Sequence, residues 1–155
     1  RRSDQGRYWW ELRPCAYYDQ FERRKLLYQE IQFYPAYALD TRGLYANNKT
    51  FLLPTDDLYL LGVLNSPLLW WHNWRFLGHM KDDALNPAAV RLRELPIARP
   101  TDTLRGMIEA HVESLVAGTS EQRDQRAALL DWLRVEFAVE TPGDKLRAFD
   151  TLTDD

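Results

Sequence analysis

The hydrophobic period of the chain changes at Pro54, and no other feature constrains the fold as much. Before it, apolar residues show no helical spacing. Tyr, Phe and Trp alternate with breakers at Pro14, Pro35, Gly43 and the Asn47-Asn48 pair, a pattern of short strands joined by turns. The strongest strand pattern covers residues 25–31. A second covers residues 50–53 and is stopped by Pro54, with residues 45–49 as the turn leading into it, because Asn tolerates left-handed backbone. After Pro54, Leu58, Leu61 and Leu64 recur at three-residue steps behind a cap at Thr55 or Asp56. Asn65-Ser66-Pro67 ends that helix. Pro67 suits the first turn of the next, whose stripe is Trp70, Trp71, Trp74 and Leu77, closed by Gly78. The two helices are expected to form a hairpin with these tryptophans largely structural.

Downstream, residues 82–86 read as a polar loop and residues 89–92 as a further short strand. An amphipathic helix then carries Leu104, Met107, Ile108, His111, Val112, Leu115 and Val116 on one face and ends at Gly118. His111, on that stripe, is expected to be a core histidine. Thr119 with Gln122 fits a capping box for a second helix with stripe Leu129, Leu130, Leu133 and Phe137, stopped by Pro142-Gly143. The expected fold class is therefore α+β: a small strand-rich platform with a helical hairpin, followed by C-terminal helices. Residues 1–100 form the main domain, 101–150 a helical appendage and 151–155 a polar tail. There is no internal repeat. The opening Arg1-Arg2-Ser3-Asp4, without an initiator Met, suggests a piece of a longer polypeptide.

Charged residues make up 28% of the 155, and the apolar stretch 58–71 is broken by Asn65 and Ser66. It falls short of the roughly 18–20 residues of a membrane span, so no membrane partner is expected. Cys15 is the single cysteine and no signal peptide opens the chain, which points to a reducing, cytoplasmic setting. The net charge of −3 hides a division. Residues 1–100 hold 14 Lys and Arg against 11 Asp and Glu, a net of +3; residues 101–155 hold 6 against 12, a net of −6. A basic working part followed by an acidic helical appendage fits those signs.

The common catalytic constellations are missing from the sequence. It has no H-E-x-x-H, its histidines His72, His79 and His111 are scattered, and its glycines form neither G-x-G-x-x-G nor G-x-x-x-x-G-K-[ST]. Asn86-Pro87-Ala88 lacks the second proline and the aromatic of the N-P-P-[YFW] motif that grips a flipped adenine, and reads as a helix-capping loop. Cys15 reads as a buried small hydrophobe. No catalytic, metal or cofactor residue is assigned.

The distinctive stretch is Arg7-Tyr8-Trp9-Trp10-Glu11-Leu12-Arg13-Pro14 followed by Tyr17-Tyr18-Asp19-Gln20-Phe21-Glu22-Arg23-Arg24-Lys25, where Arg and Lys alternate with aromatics. Arg and Lys neutralise phosphates, Arg reads guanine and Asn reads adenine. The DNA-binding candidates are Arg13, Arg23, Arg24, Lys25, Asn47, Asn48 and Lys49. If the two strands pair, the loops before them are expected at one edge of the platform, facing a duplex. The alternative is that the Trp pair is core with basic residues on a solvated rim.

Five segments, in order, resemble a known family: residues 8–13 (YWWELR), 21–31 (FERRKLLYQEI), 47–51 (NNKTF), 58–66 (LYLLGVLNS) and 94–97 (ELPI). Together they look like the TaqI-like C-terminal specificity domain of adenine-N6 DNA methyltransferases, including Eco57I-like restriction-modification enzymes. The likeness spans roughly residues 7–100. Residues 130–137 and 142–146 resemble the stretch that follows this domain in many large methylases. The family often has Lys-Pro-Lys before the strand, where this chain has Glu22-Arg23-Arg24-Lys25. The resemblance implies a noncatalytic module that contacts double-stranded DNA and reads its target. An upstream methyltransferase domain of the same polypeptide, with S-adenosylmethionine as its cofactor, would flip and methylate an adenine. The rival is a protein-interaction scaffold, in which the tryptophans and the acidic helices dock to another domain or subunit.

Overall fold

The structure, a computed structural model, describes residues 7–8 and 16–147. In chain order the elements are α1 (Asp19–Glu22), β1 (Lys25–Gln29), β2 (Tyr37–Asp40), β3 (Thr50–Leu53), α2 (Leu58–Leu64), α3 (Pro67–Phe76), a 3-10 turn (Lys81–Asp83), α4 (Ala89–Leu92), α5 (Asp102–Phe137) and α6 (Asp144–Arg147). The fold is α+β, as expected. The chain divides into two compact units between Glu109 and Ala110, within α5.

In the first unit β1 is the centre of a three-stranded antiparallel sheet of order β2-β1-β3. Alternation along β1 puts Leu26 and Tyr28 on one face, and both are buried. Leu39 and Tyr37 lie opposite them on β2, and Leu53 and Phe51 on β3. The Tyr28 ring sits 5.4 Å from both Tyr37 and Phe51. Burial pushes the Tyr28 and Tyr37 hydroxyls up from their ordinary pKa, with Tyr28 adding to the effect at Tyr37. The strand stops at Gln29 rather than at Ile31. Beyond it Gln32 exchanges two backbone hydrogen bonds with Leu85, at 2.9 and 2.8 Å, which draws the chain out of the ladder.

The cap of α2 is Asp57, whose carboxylate accepts the Leu60 N–H at 3.0 Å; the expected cap Asp56 is instead paired with Arg24. The helix buries Tyr59, Leu61 and Leu64. Asn65 ties it to β2: its Nδ2 donates to the carbonyls of Tyr37 and Leu61 (3.0 and 3.1 Å) and its Oδ1 accepts the Tyr37 N–H (3.1 Å). Ser66 caps α3 by accepting the Leu69 N–H at 3.1 Å, with Pro67 in the first turn.

Of the expected stripe Trp70, Trp71, Trp74 and Leu77, only Leu77 is buried in this helix pair, and Trp70 is half-buried. Leu69 and Asn73 are the buried residues of α3 and Leu77 is buried just past its end, whereas Trp71 is 55% and Trp74 42% exposed. Leu69, Asn73 and Leu77 follow one another at four-residue steps. At about 100° per residue, Trp71 and Trp74 lie about 200° and 140° around the axis from Leu69. α3 ends at Phe76 with Leu77 as its C-cap, the Leu77 N–H bonding the Asn73 carbonyl, so that Gly78 is the first residue beyond the cap.

Three further expectations are corrected. Residues 89–92 form the single helical turn α4, not a strand. No ladder partner lies beside them among the described residues, so Arg91 and Leu92 bond back to the Ala88 carbonyl at 2.8 and 3.1 Å. The two predicted C-terminal helices are one, the 36-residue α5. Gly118 lies in its interior, where glycine costs about 1 kcal/mol but does not stop a long helix. The Thr119 hydroxyl donates back to the Leu115 carbonyl at 2.8 Å instead of capping a new helix. Along α5 Val112 is buried, but Leu104, Met107 and Leu115 are exposed, and so is His111, which is not a core residue. In the second unit Leu129, Leu130 and Leu133 are half-buried. Among the described residues, no helix is long and apolar enough to cross a membrane.

Candidate nucleic-acid interface

The basic segments before the two strands do not share an edge. In the antiparallel register Leu26 faces Leu53 and Gln29 faces Thr50, so the turn entering β3 lies beside the far end of β1. Arg23 and Arg24 precede β1 at its other end, about 13 Å away along five residues at roughly 3.3 Å rise. The two basic segments therefore belong to separate surfaces.

At the near end, the expectation that Lys25 offers its charge to a phosphate is corrected. Its side chain is fully buried; the ammonium pairs with the Asp40 carboxylate across the β1–β2 ladder and donates to the Phe21 carbonyl. Stripping water from two ions costs several kcal/mol each, so such a pair persists only where further hydrogen bonds satisfy it. Asp40 provides them. Its Oδ1 accepts the Arg42 N–H at 2.9 Å and its Oδ2 the Leu44 N–H at 2.8 Å. Burial alone would raise the Asp40 carboxyl; Lys25 and these two amides outweigh it and hold the group below the usual carboxylate range.

That hub shapes the loop after β2. Gly43 takes the left-handed region at φ 71°, and a Cβ there would meet the Glu22 Cα at 3.6 Å. Tyr45 stacks on Phe21, with ring centroids 4.9 Å apart, and donates its hydroxyl to Glu22 at 3.3 Å. Three arginines border this assembly. Arg23 pairs with Asp19 at 3.1 Å and Arg24 with Asp56 at 3.0 Å, all four side chains being more than half exposed. Surface pairs of this kind are worth about 0–1 kcal/mol and yield readily to a competing anion. Arg42 is exposed, and its guanidinium makes no ion pair among the described residues. Sequence reasoning missed Arg42, although Asp40-Thr41-Arg42-Gly43 carries the signal of an Asx turn.

At the far end, Lys49 donates to Glu30 at 2.8 Å, and the Glu30 N–H bonds the Lys49 carbonyl at 2.9 Å. Asn47 is partly used by its own turn, its Oδ1 accepting the Lys49 N–H at 2.9 Å. Asn48 is exposed, and its amide engages none of the described side chains. An open groove of about 320 Å³ runs between the strand ends, lined by Gln29, Glu30, Ile31, Asn47, Lys49 and Thr50. The β1–β2 connection emerges at this same end. Within it Gln32 is buried and clamped to Leu85, while Phe33 and Tyr34 are 62% and 67% exposed. No sequence argument had singled them out.

Of the sequence candidates, Arg13 lies outside the described residues, as do Trp9, Trp10 and Cys15. Arg23 and Arg24 are on the surface at one end, Asn47, Asn48 and Lys49 at the other, and Lys25 is inside. Among the described residues no group of three or more His, Cys, Asp or Glu is placed to hold a metal ion. Asn86-Pro87-Ala88 leads into α4, with Pro87 buried and Ala88 at the cap position. Compared with protein families, residues 2–97 match the TaqI-like C-terminal specificity domain. Compared with curated proteins, the chain finds no match.

Proposed function

We propose, from the premise that the chain belongs to the family of TaqI-like C-terminal specificity domains, that it is the DNA-reading part of an adenine-N6 methyltransferase of a restriction-modification system. The family match over residues 2–97 carries this reading. On it, the chain holds a DNA duplex while a catalytic domain upstream in the same polypeptide extrudes an adenine and transfers a methyl group from S-adenosylmethionine. Extrusion costs a few kcal/mol, which contacts outside the catalytic pocket help to offset. The cofactor belongs to that catalytic domain. The sequence of this chain has no glycine-rich cofactor loop and no complete N-P-P-[YFW] motif, and it takes no chemical step of its own.

Two features of the first unit support the reading. The near end of the sheet presents Arg23, Arg24 and Arg42, with weakly held counterions or, for Arg42, none among the described residues, on a backbone cross-tied by Lys25 and Asp40. The far end presents Lys49 beside the amides of Asn47 and Asn48. The test is duplex binding by the natural polypeptide across salt concentrations, together with transfer of labelled methyl from S-adenosylmethionine to adenine N6. Each phosphate contact contributes about 0.9 to the slope of log affinity against log salt. The triple variant Arg23→Ala/Arg24→Ala/Arg42→Ala is therefore expected to lower that slope by up to about 2.7. Salt-independent affinity without adenine methylation refutes the proposal.

A further inference from the structure

We infer that the tip of the β1–β2 connection, Phe33 and Tyr34, together with the Asn48 amide, is the part of this domain that contacts DNA bases, while the arginine end holds phosphates. The inference rests on the DNA-reading proposal and names the surface that does the reading.

The register places the tip and the turn at the same end of the sheet. Tyr28 pairs with Tyr37 and Gln29 with Thr50, so the segment joining β1 to β2 and the turn entering β3 leave the sheet at one end. The tip is anchored on both sides. Before it, the Gln32 backbone is doubly bonded to Leu85, which is fully buried, and the Gln32 amide donates to the Gln29 carbonyl at 3.3 Å. After it, Tyr37 is held through its N–H and its carbonyl by the Asn65 side chain. Between these anchors Phe33 and Tyr34 stand out with about two-thirds of their surface in water. A pre-organised aromatic pair loses little entropy when it binds, and its rings suit the faces or steps of stacked bases.

The neighbouring turn supplies the polar half of a reading surface. Asn47 builds the turn by accepting the Lys49 N–H, which holds the next residue, Asn48, at the exposed position. An unengaged carboxamide offers one acceptor and two donor hydrogens, the set that pairs bidentately with adenine. Lys49 and Glu30, bonded to each other, border the groove between the end of β1 and the turn. The arginine end differs in kind: its exposed groups are guanidiniums on short, cross-tied backbone, suited to phosphate and indifferent to sequence.

The test is selection from a randomised duplex library by the chain in its natural polypeptide, with sequencing of the bound fraction. The variants are Asn48→Ala, Phe33→Ala/Tyr34→Ala, Arg42→Ala and, as a control at a pair with no assigned role, Arg91→Ala. The wild type and Arg91→Ala are expected to enrich one motif equally. Asn48→Ala and Phe33→Ala/Tyr34→Ala should relax enrichment at particular positions by about 5- to 150-fold while leaving affinity for non-enriched duplex unchanged. Arg42→Ala should keep the motif and lower affinity for all duplexes alike. If the tip and Asn48 variants both enrich the wild-type motif undiminished, the inference falls; that is also the result expected of a tip that docks to protein. If the wild type binds no duplex or enriches no motif, the proposed function fails and this inference with it. All four sites are exposed, and equal melting temperatures separate loss of reading from loss of fold.

Discussion

Replacing Lys25 with Met tests the internal logic of the fold at its most polar point. The substitution keeps most of the side-chain volume but removes the ammonium that faces Asp40, whose carboxylate is 1% exposed. Asp40 keeps two donors, the Arg42 and Leu44 amides. A buried ion deprived of its partner typically costs 3–5 kcal/mol; with two hydrogen bonds surviving, about 3 kcal/mol is expected. That is a large part of the 5–15 kcal/mol that holds a domain together. With a urea dependence of roughly 1–3 kcal/mol per molar, the midpoint should fall by about 1–3 M without a change in slope. The pH dependence gives a second reading. Because the folded Asp40 carboxyl lies below its unfolded value, its contribution in the wild type is complete above the ordinary carboxylate range and lost as pH falls through the folded pKa. In Lys25→Met burial acts on Asp40 with no cation to oppose it, so protonation relieves the stranded charge. The wild-type and variant stability curves should therefore converge on acidification. Removing the charge while keeping an acceptor for one of the Arg42 and Leu44 amides, as Lys25→Met/Asp40→Asn, should recover part of the loss. A single-variant cost below about 1 kcal/mol at neutral pH, with parallel pH curves, would refute the buried pair.

Denaturation of the whole chain checks four single substitutions. Gly43→Ala should destabilise by about 1–2 kcal/mol, because φ is 71° there while the nearest atom, at 3.6 Å, leaves room for the methyl group. Gly118→Ala should stabilise α5 by about 0.5–1 kcal/mol, as no described atom beyond its chain neighbours and the helix's own backbone lies within 4 Å of the new methyl; destabilisation would mean that the helix breaks there after all. Leu69→Ala should cost about 2–5 kcal/mol as a buried leucine, and Trp74→Ala less than Leu69→Ala. The reverse order would restore the tryptophan to the core.

What the sequence determined by itself was local. Thr50–Leu53 is the strand that alternation and Pro54 delimit, and Ser66-Pro67 opens a helix because a hydroxyl cap and a proline suit a first turn wherever they occur. The period change at Pro54 likewise separates the sheet from α2 and the helices after it, and the ordered segments that resemble the specificity domain are a property of the string. Tertiary structure decided everything that depends on what lies across the chain. Lys25 reads as a surface cation until β2 brings Asp40 to face it, fifteen residues on. The stripe through Trp71 and Trp74 reads as core until Leu69, Asn73 and Leu77 prove to be the buried line. Arg24 and Lys49 each precede a strand, and only the antiparallel register places them at opposite ends of the sheet. Phe33 and Tyr34 are equally apolar wherever they stand; the Gln32–Leu85 bridge and the Asn65 clamp on Tyr37 leave them projecting into water. Propensity and capping are carried by a residue and its near neighbours, whereas burial, pairing and exposure belong to the packed whole.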